Sequence, residues 1–246
     1  MPGMRASSAL VVAAALTACS PAERGPEALA LRANDGVTVH ATLYAAVRPR
    51  AVIMLFHQAG SSAAEYATIA PRLAASGYEA LAIDQRSGGD LFGPNRTVRG
   101  IGRSTGYAAV EPDLEAALAW AKGRRLPVIA WGSSYSAALV LRLAARHPGS
   151  LAAVLAFSPG EYLDDAGAVR RAAAGVLAPI FVAAASDPGE RRAALAILAA
   201  AHSSHEVAYL PASAGVHGSS TLIAARNPKG AALAWRAVEG FLRRLT

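Results

Sequence analysis

The sequence predicts an α/β domain: a mostly parallel sheet of about eight strands with helices on both faces. Two observations carry that expectation. Apolar runs of strand length recur along the chain, and stretches with helical spacing separate them. Most of those runs are unbroken, as Ala51 to Phe56 (AVIMLF) is, and strands buried on both faces read that way. Composition agrees: 246 residues that are 53% hydrophobic and 17% charged can bury one substantial core. Disorder is excluded at that hydrophobic content, and the 22 glycines and 14 prolines show no repeat that would make a collagen-like chain.

Taken in order, Ala28 to Arg32 and Val37 to Tyr44 flank Asn34-Asp35-Gly36, whose Asp-Gly step suits a tight turn between antiparallel strands. Ala51 to Phe56 follows as a strand, and Ala64 to Ser76 as a helix on which Tyr66, Ile69 and Leu73 fall near helical spacing. The beat repeats with strands at 79–83, 128–131, 151–157, 180–185 and 207–210. Helices are predicted at 112–122, 135–146, 190–201 and 229–245. Pro112 stands where a first-turn proline is tolerated. Ser87 to Gly106 reads as a long, glycine-rich loop carrying Arg96, Arg99 and Arg103. Loops of that length are often functional, and two readings stay open for this one: a border of the site that favours an acidic substrate, or a disordered or merely solvated excursion.

The formal charge is +7, from 24 Lys and Arg against 17 Asp and Glu. The cations fall in separated pairs such as Arg124-Arg125 and Arg243-Arg244, with no basic block interleaved with aromatics. A nucleic-acid footprint is therefore not expected. Cys19 is the single cysteine, which excludes a disulfide framework within the chain, a multi-cysteine metal site and a cysteine nucleophile in the body of the domain.

Residues 1–18 carry one positive charge, Arg5, then the apolar run Ala9 to Leu16, then small residues. That is the layout of a secretory signal peptide, and the run is too short to span a bilayer. Leu16-Thr17-Ala18-Cys19 resembles a bacterial lipobox, which implies cleavage before Cys19 and lipidation of its thiol. Residues 19–27 then serve as lipidated cysteine and tether, and 28–246 as the folded domain. Ser20, which is not aspartate, implies by the same resemblance the outer membrane, where one is present.

Between the strand at 128–131 and its helix lies Gly132-Ser133-Ser134-Tyr135-Ser136, a G-x-S-x-G pattern with its last glycine replaced. Here the sequence resembles the α/β-hydrolase superfamily, over essentially Ala28 to Thr246. The resemblance implies the α/β-hydrolase fold, a nucleophile elbow at Ser134, and a triad in the order Ser, acid, His. Asp187, in Ser186-Asp187-Pro188 after the strand at 180–185, is the expected acid; Glu161, Asp164 and Asp165 are its competitors. His217, between Val216 and Gly218, is the expected base. A serine hydroxyl is a poor nucleophile without such a base, so the three make chemical sense together. His40, His147, His202 and His205 read as surface residues, and no histidine pair has the spacing of a zinc motif.

The same resemblance implies two oxyanion donors. One is the N–H of Tyr135; the other comes from His57-Gln58-Ala59-Gly60, similar to the family's H-G-x-G loop, and falls on Ala59 with Gln58 as the alternative. His57 is expected to hold that loop. Asp84-Gln85-Arg86-Ser87-Gly88-Gly89 resembles the family's D-x-R-G-x-G turn, in which Asp84 and Arg86 are structural.

Only Pro159 to Ala178 separates the strands at 151–157 and 180–185, too little for a cap domain, so the site should be open and bordered by Glu161, Tyr162 and Leu163. That layout resembles compact dienelactone-hydrolase-like esterases, which use a cysteine where this chain has Ser134. The expected activity is hydrolysis of small-molecule or lipid carboxylic esters through an acyl-enzyme, with no metal or organic cofactor. A peptidase or thioesterase using the same groups, and a non-catalytic membrane-tethered binding module, are the alternatives. The leader yields the first test. The mass of the exported protein should correspond to a chain beginning at an acylated Cys19, and an intact Met1 would refute the processing.

Overall fold

The computed structural model describes residues 25–163 and 165–245. The predicted leader, Cys19 and Asp164 lie outside them. The chain opens with the predicted hairpin, β1 (Glu27–Arg32) and β2 (Thr38–Tyr44), paired antiparallel from Glu27 against Leu43 to Arg32 against Thr38. Its turn works as the Asp-Gly step requires. Asp35 accepts the Val37 N–H at 3.2 Å, and Gly36 takes φ +87°.

Six parallel strands follow: β3 (Ala51–Phe56), β4 (Tyr78–Ile83), β5 (Val128–Ser133), β6 (Ala153–Phe157), β7 (Ile180–Ala183) and β8 (Glu206–Tyr209). The helices are α1 (Ile69–Ala75), α2 (Arg96–Ile101), α3 (Glu111–Gly123), α4 (Tyr135–Arg146), α5 (Ala168–Ala174), α6 (Pro188–Leu198) and α7 (Ala231–Leu242). The strand order is β1-β2-β4-β3-β5-β6-β7-β8. The chain therefore winds one way from β3 to β4 and the other way from β5 onward. At that reversal the loops leaving β3 and β5 diverge, and a crevice opens beyond the carboxyl ends of the strands.

Alternation along β3 shows why its run is apolar throughout. Val52, Met54 and Phe56 join the core layer beneath α3, α4, α5 and α6, whereas Ala51, Ile53 and Leu55 join the layer beneath α1 and α7. The second layer holds a row of aromatics, Trp131, Phe157, Phe181 and Phe241, with neighbouring ring centroids 4.5–5.7 Å apart.

Three local structures differ from the sequence reading. The predicted helix from Ala64 to Ser76 is divided into a 3-10 turn, Ala63–Tyr66, and α1. Tertiary contacts hold that turn: Asp84 accepts the Ala63 N–H at 2.8 Å, and the turn's own Tyr66 hydroxyl donates to the Phe56 carbonyl at 2.7 Å. The long loop after β4 contains α2, capped by Asn95, which accepts the Val98 N–H at 2.8 Å, and closed by Gly102 at φ +76°. A six-residue helix with Thr, Val and Gly inside has little propensity of its own, so its caps and tertiary contacts decide. Helix α5 was likewise not foreseen, being seven residues without a marked apolar period.

Asp84 and Arg86 act structurally, as the motif implies. The carboxylate of Asp84 accepts from Ala63 and from the Arg96 backbone and guanidinium. Arg86 is gripped by fully buried Asp113, which takes its N–H and Nε at 2.8 Å each, and by Asp35 in the hairpin turn. This network fastens the antiparallel edge to α3. Asp113→Ala strands a buried guanidinium and should cost about 3 kcal/mol or more. Asp35→Ala, at the exposed end, should cost about 1 kcal/mol or less. Urea unfolding of the two variants beside the parent checks the contrast.

Candidate active site

The crevice is built from four loops. The turn after β5 carries Ser134, whose backbone sits at φ +59°, ψ −124°, a conformation that L-residues avoid and that costs of order 1–3 kcal/mol. Its surroundings hold it there. Its N–H donates to the Phe157 carbonyl at 2.8 Å, and the Ala137 N–H donates back to the Ser134 carbonyl at 2.8 Å. A Cβ on Gly132 would fall on the Ser136 carbonyl, so glycine is obligatory where α4 turns back over β5. Ser136 replaces the family's second glycine and is used: its hydroxyl donates to the His57 carbonyl at 2.6 Å and accepts from the Gln85 amide at 3.0 Å. It ties the elbow to the loop after β3.

The loop after β8 brings His217 onto Ser134, with Nε2 2.8 Å from the serine Oγ. This loop is fastened on both sides of the histidine. Gly215 and Ser186 exchange hydrogen bonds, the Gly218 N–H donates to Ser158 Oγ at 2.8 Å, and the Ser219 N–H donates to Ser133 Oγ at 2.9 Å. Gly218 takes φ +62°, and a side chain there would press on the Ser133 hydroxyl.

The other ring nitrogen corrects the sequence reading. His217 Nδ1 lies 2.8 Å from Glu190 Oε1, and Asp187 does not reach it. Asp187 is instead the cap of α6, accepting the Glu190 N–H at 2.9 Å, with Pro188 at the first helical position. The segment Asp187-Pro188-Gly189-Glu190 carries its own signal, since a cap residue followed three places on by glutamate is the pattern of a helix start. Reading it so would have turned Asp187 into the helix and left Glu190, one turn further, to face the histidine. Of the other candidate acids among the described residues, Glu161 accepts the Val169 and Arg170 N–H groups, and Asp165 pairs with Arg171.

Electrostatics fix the tautomer. Burial pushes the Glu190 carboxyl up, but hydrogen bonds from His217 and Ser158 outweigh it and the net direction is down, so it is an anion that only accepts. Nδ1 therefore carries the proton, and Nε2 is free to accept from Ser134. The Glu190 hydrogen bond raises the His217 pKa above the ordinary histidine value, against the opposing effect of burial.

The loop after β3 supplies the remaining wall. His57 is fully buried, accepts the Gln85 N–H on Nε2 at 3.0 Å and donates from Nδ1 to the Gln58 carbonyl at 2.7 Å. Burial pushes its pKa down to about 4, so it is a neutral strut, as expected of this position. Gln58, the alternative oxyanion donor, is committed: its N–H goes to Glu65 Oε2 at 2.8 Å. The Ala59 N–H enters none of the backbone hydrogen bonds among the described residues. The Tyr135 N–H opens α4 and so has no acceptor within the helix. Glu65, Ser133 and Ser158 were not foreseen, because nothing in a polar residue's local sequence shows which loop it will meet.

A groove of about 760 Å³ is walled by Tyr107, Tyr162, Leu163, Ala108, Arg142 and Arg171 among others; Ser134, Glu190 and His217 do not line it, and it meets the site through two of its tyrosines. Tyr107 stacks on the ring of Tyr135 with centroids 4.3 Å apart, and the Tyr162 hydroxyl donates to the Ser158 carbonyl at 3.2 Å. Of the loop at 87–106, only Gly106 lines this groove. Arg96 is held by Asp84 and Thr42, and Arg99 is exposed on α2.

The family model described as serine aminopeptidase, S33 matches residues 47–220, which include the elbow, the β3 loop and His217. The chain belongs to this family of α/β-hydrolases. It is accordingly an enzyme of the serine hydrolase type, and among the described residues no cap domain is present, α5 being the one helix between β6 and β7. Solved structures with the same fold include a dienelactone hydrolase from Anabaena variabilis, 18% identical with a TM-score of 0.66, over 89% of this chain and 96% of that one. An esterase from Pyrococcus furiosus is 17% identical with a TM-score of 0.65, over 90% and 91%. A thermostable carboxyl esterase from Bacillus coagulans is 12% identical with a TM-score of 0.58, over 76% and 90%. A search of curated proteins gave no match.

Glu190→Gln should lower kcat/KM about a hundredfold or more, because the amide can present the wrong group to Nδ1. It should also move the acid limb of the pH profile to lower pH, since the anion that raises the histidine is gone. Asp187→Asn, which keeps a capping oxygen, should leave both near the parent values. Profiles of kcat/KM against pH for the three proteins decide between the two acids.

Proposed function

We propose that the protein is a serine esterase in which Ser134 is the nucleophile, His217 the general base and Glu190 the acid that orients it. The observation that carries the reading is the unbroken chain of hydrogen bonds from Glu190 through His217 to a serine held at a strained elbow, beside an open groove. The Ser134 oxygen attacks the ester carbonyl while its proton passes to His217 Nε2. The carbonyl oxygen takes up negative charge, stabilised by the Tyr135 and Ala59 N–H groups. As the intermediate collapses, the C–O bond to the alcohol breaks, His217 returns the proton to the leaving oxygen, and an acyl group remains on Ser134. A water molecule, deprotonated by His217, then attacks the acyl carbonyl; the bond to Ser134 Oγ breaks, His217 returns the proton to that oxygen, and the acid leaves.

The groove favours esters over the N-terminal amines suggested by the description of the family. An α-ammonium needs an unpaired carboxylate, and the one acid among the described lining residues, Asp165, is already paired with Arg171. The apolar wall of Tyr107, Leu163 and Ala108 suits a hydrocarbon or aryl group. Solved neighbours are themselves titled as a dienelactone hydrolase and as esterases, which supports the choice. The lipobox-like segment supports attachment to the cell envelope through lipid on Cys19, with small-molecule or lipid esters as substrates.

The test is hydrolysis of a p-nitrophenyl ester series by the domain from Ser20 onward, beside Ser134→Ala and His217→Ala. Turnover in the parent, with at least about a thousandfold loss in each folded variant, is expected. Esters left untouched by the parent, or cleaved equally well by Ser134→Ala, would overturn the assignment.

A further inference from the structure

We infer that Glu65 is a positioning residue of the hydrolytic site, its buried carboxylate holding the oxyanion loop, the nucleophile elbow and the histidine loop in mutual register. The inference rests on the esterase reading above and extends it to a residue outside the triad. Glu65 lies in the 3-10 turn Ala63–Tyr66 and is 1% exposed. Its Oε2 accepts the Gln58 N–H at 2.8 Å, next to the proposed donor Ala59. Its Oε1 accepts the hydroxyl of Ser133, the residue before the nucleophile, at 2.7 Å. The same Ser133 oxygen accepts the Ser219 N–H at 2.9 Å, two residues beyond His217. One carboxylate and one hydroxyl thus join the three loops that carry the oxyanion donor, the nucleophile and the base.

The pattern is that of an anion. Both groups aimed at the carboxylate are donors, and an ionised carboxylate, which only accepts, satisfies both. Burial pushes the Glu65 pKa up and the bonds from Ser133 and Gln58 offset only part of that, so the net direction is up, and it is these two donors that favour the charged form. No Arg or Lys salt bridge to Glu65 is present among the described residues. A buried carboxylate without an Arg or Lys partner is an expensive way to fill a core, so its three-loop connection needs a reason other than stability. Fixing the Gln58 N–H on Glu65 leaves Ala59 as the unengaged donor of that loop. Fixing Ser133 limits how far Ser134 and His217 can drift apart.

Glu65→Gln tests the inference, since the amide oxygen can accept from only one of the two donors, and its NH2 group meets Ser133 only if that hydroxyl turns round and its own proton loses the acceptor it now has. With the domain folded by circular dichroism, kcat should fall about tenfold to a hundredfold while KM stays within about threefold. Ser133→Ala, a smaller change that decides the matter if the first variant does not fold, should show the same split with a loss of about threefold or more. A folded variant of either kind that keeps kcat within about twofold, or loses only KM, overturns the inference. The rate at which a fluorophosphonate labels Ser134 is read in parallel. A parent that is labelled yet cleaves no ester fails the ester assignment alone, and the labelling rates of the two variants then judge Glu65. A parent that is neither labelled nor active overturns both.

Discussion

The backbone at Ser134 is the constraint on which the rest of the site depends. A serine forced into positive φ can exist only where its neighbours leave no alternative, and here they are specific. Gly132 lets α4 close over β5, the Phe157 carbonyl holds the serine N–H, and the Ser136 hydroxyl reaches the β3 loop. Each contact reaches into a different part of the sheet. The strain is therefore borne by the ends of β3, β5 and β6 together, which are rigid because both faces of each strand are buried.

Where the chain departs from its family's glycines, the substituted side chains are put to use. Ser136 bonds His57 and Gln85, and Ser87 bonds the hydroxyl of Tyr135. The glycines of the motif allow close approach of backbones. In this chain side-chain hydrogen bonds between the same loops stand at two of those positions. A site assembled this way should be stiffer, because directional bonds restrict a loop more than mere proximity does.

Much of this was readable from sequence, for reasons that can be named. Strands buried on both faces have to be apolar at every position, so Ala51 to Phe56 announced itself, and the Asp-Gly turn fixed the opening hairpin. The pentapeptide at Ser134 and the glycine-flanked His217 are local signals of loops with unusual backbone demands. The acid was misread because two local rules compete at the end of β7: an aspartate directly after a strand, and an aspartate capping a helix. Tertiary structure chose the second, which rotates Asp187 into its own helix and presents Glu190 one turn on. Helix α2 and the links through Glu65 and Ser158 depend on partners distant in the sequence, and no window of the chain contains both ends of them.

His57 has a consequence for how the enzyme tolerates acid. Its two nitrogens are assigned, one accepting from Gln85 and one donating to Gln58, so the native ring has no room for a second proton. An unfolded chain takes that proton near pH 6.5, whereas the folded one resists it down to about 4. As acidity increases through that interval, the denatured ensemble gains a bound proton that the native state refuses. The native state then gives up stability on the order of 3 kcal/mol across the interval. The loop that completes the site thus contains a built-in acid limit, set by a histidine that takes no part in the chemistry.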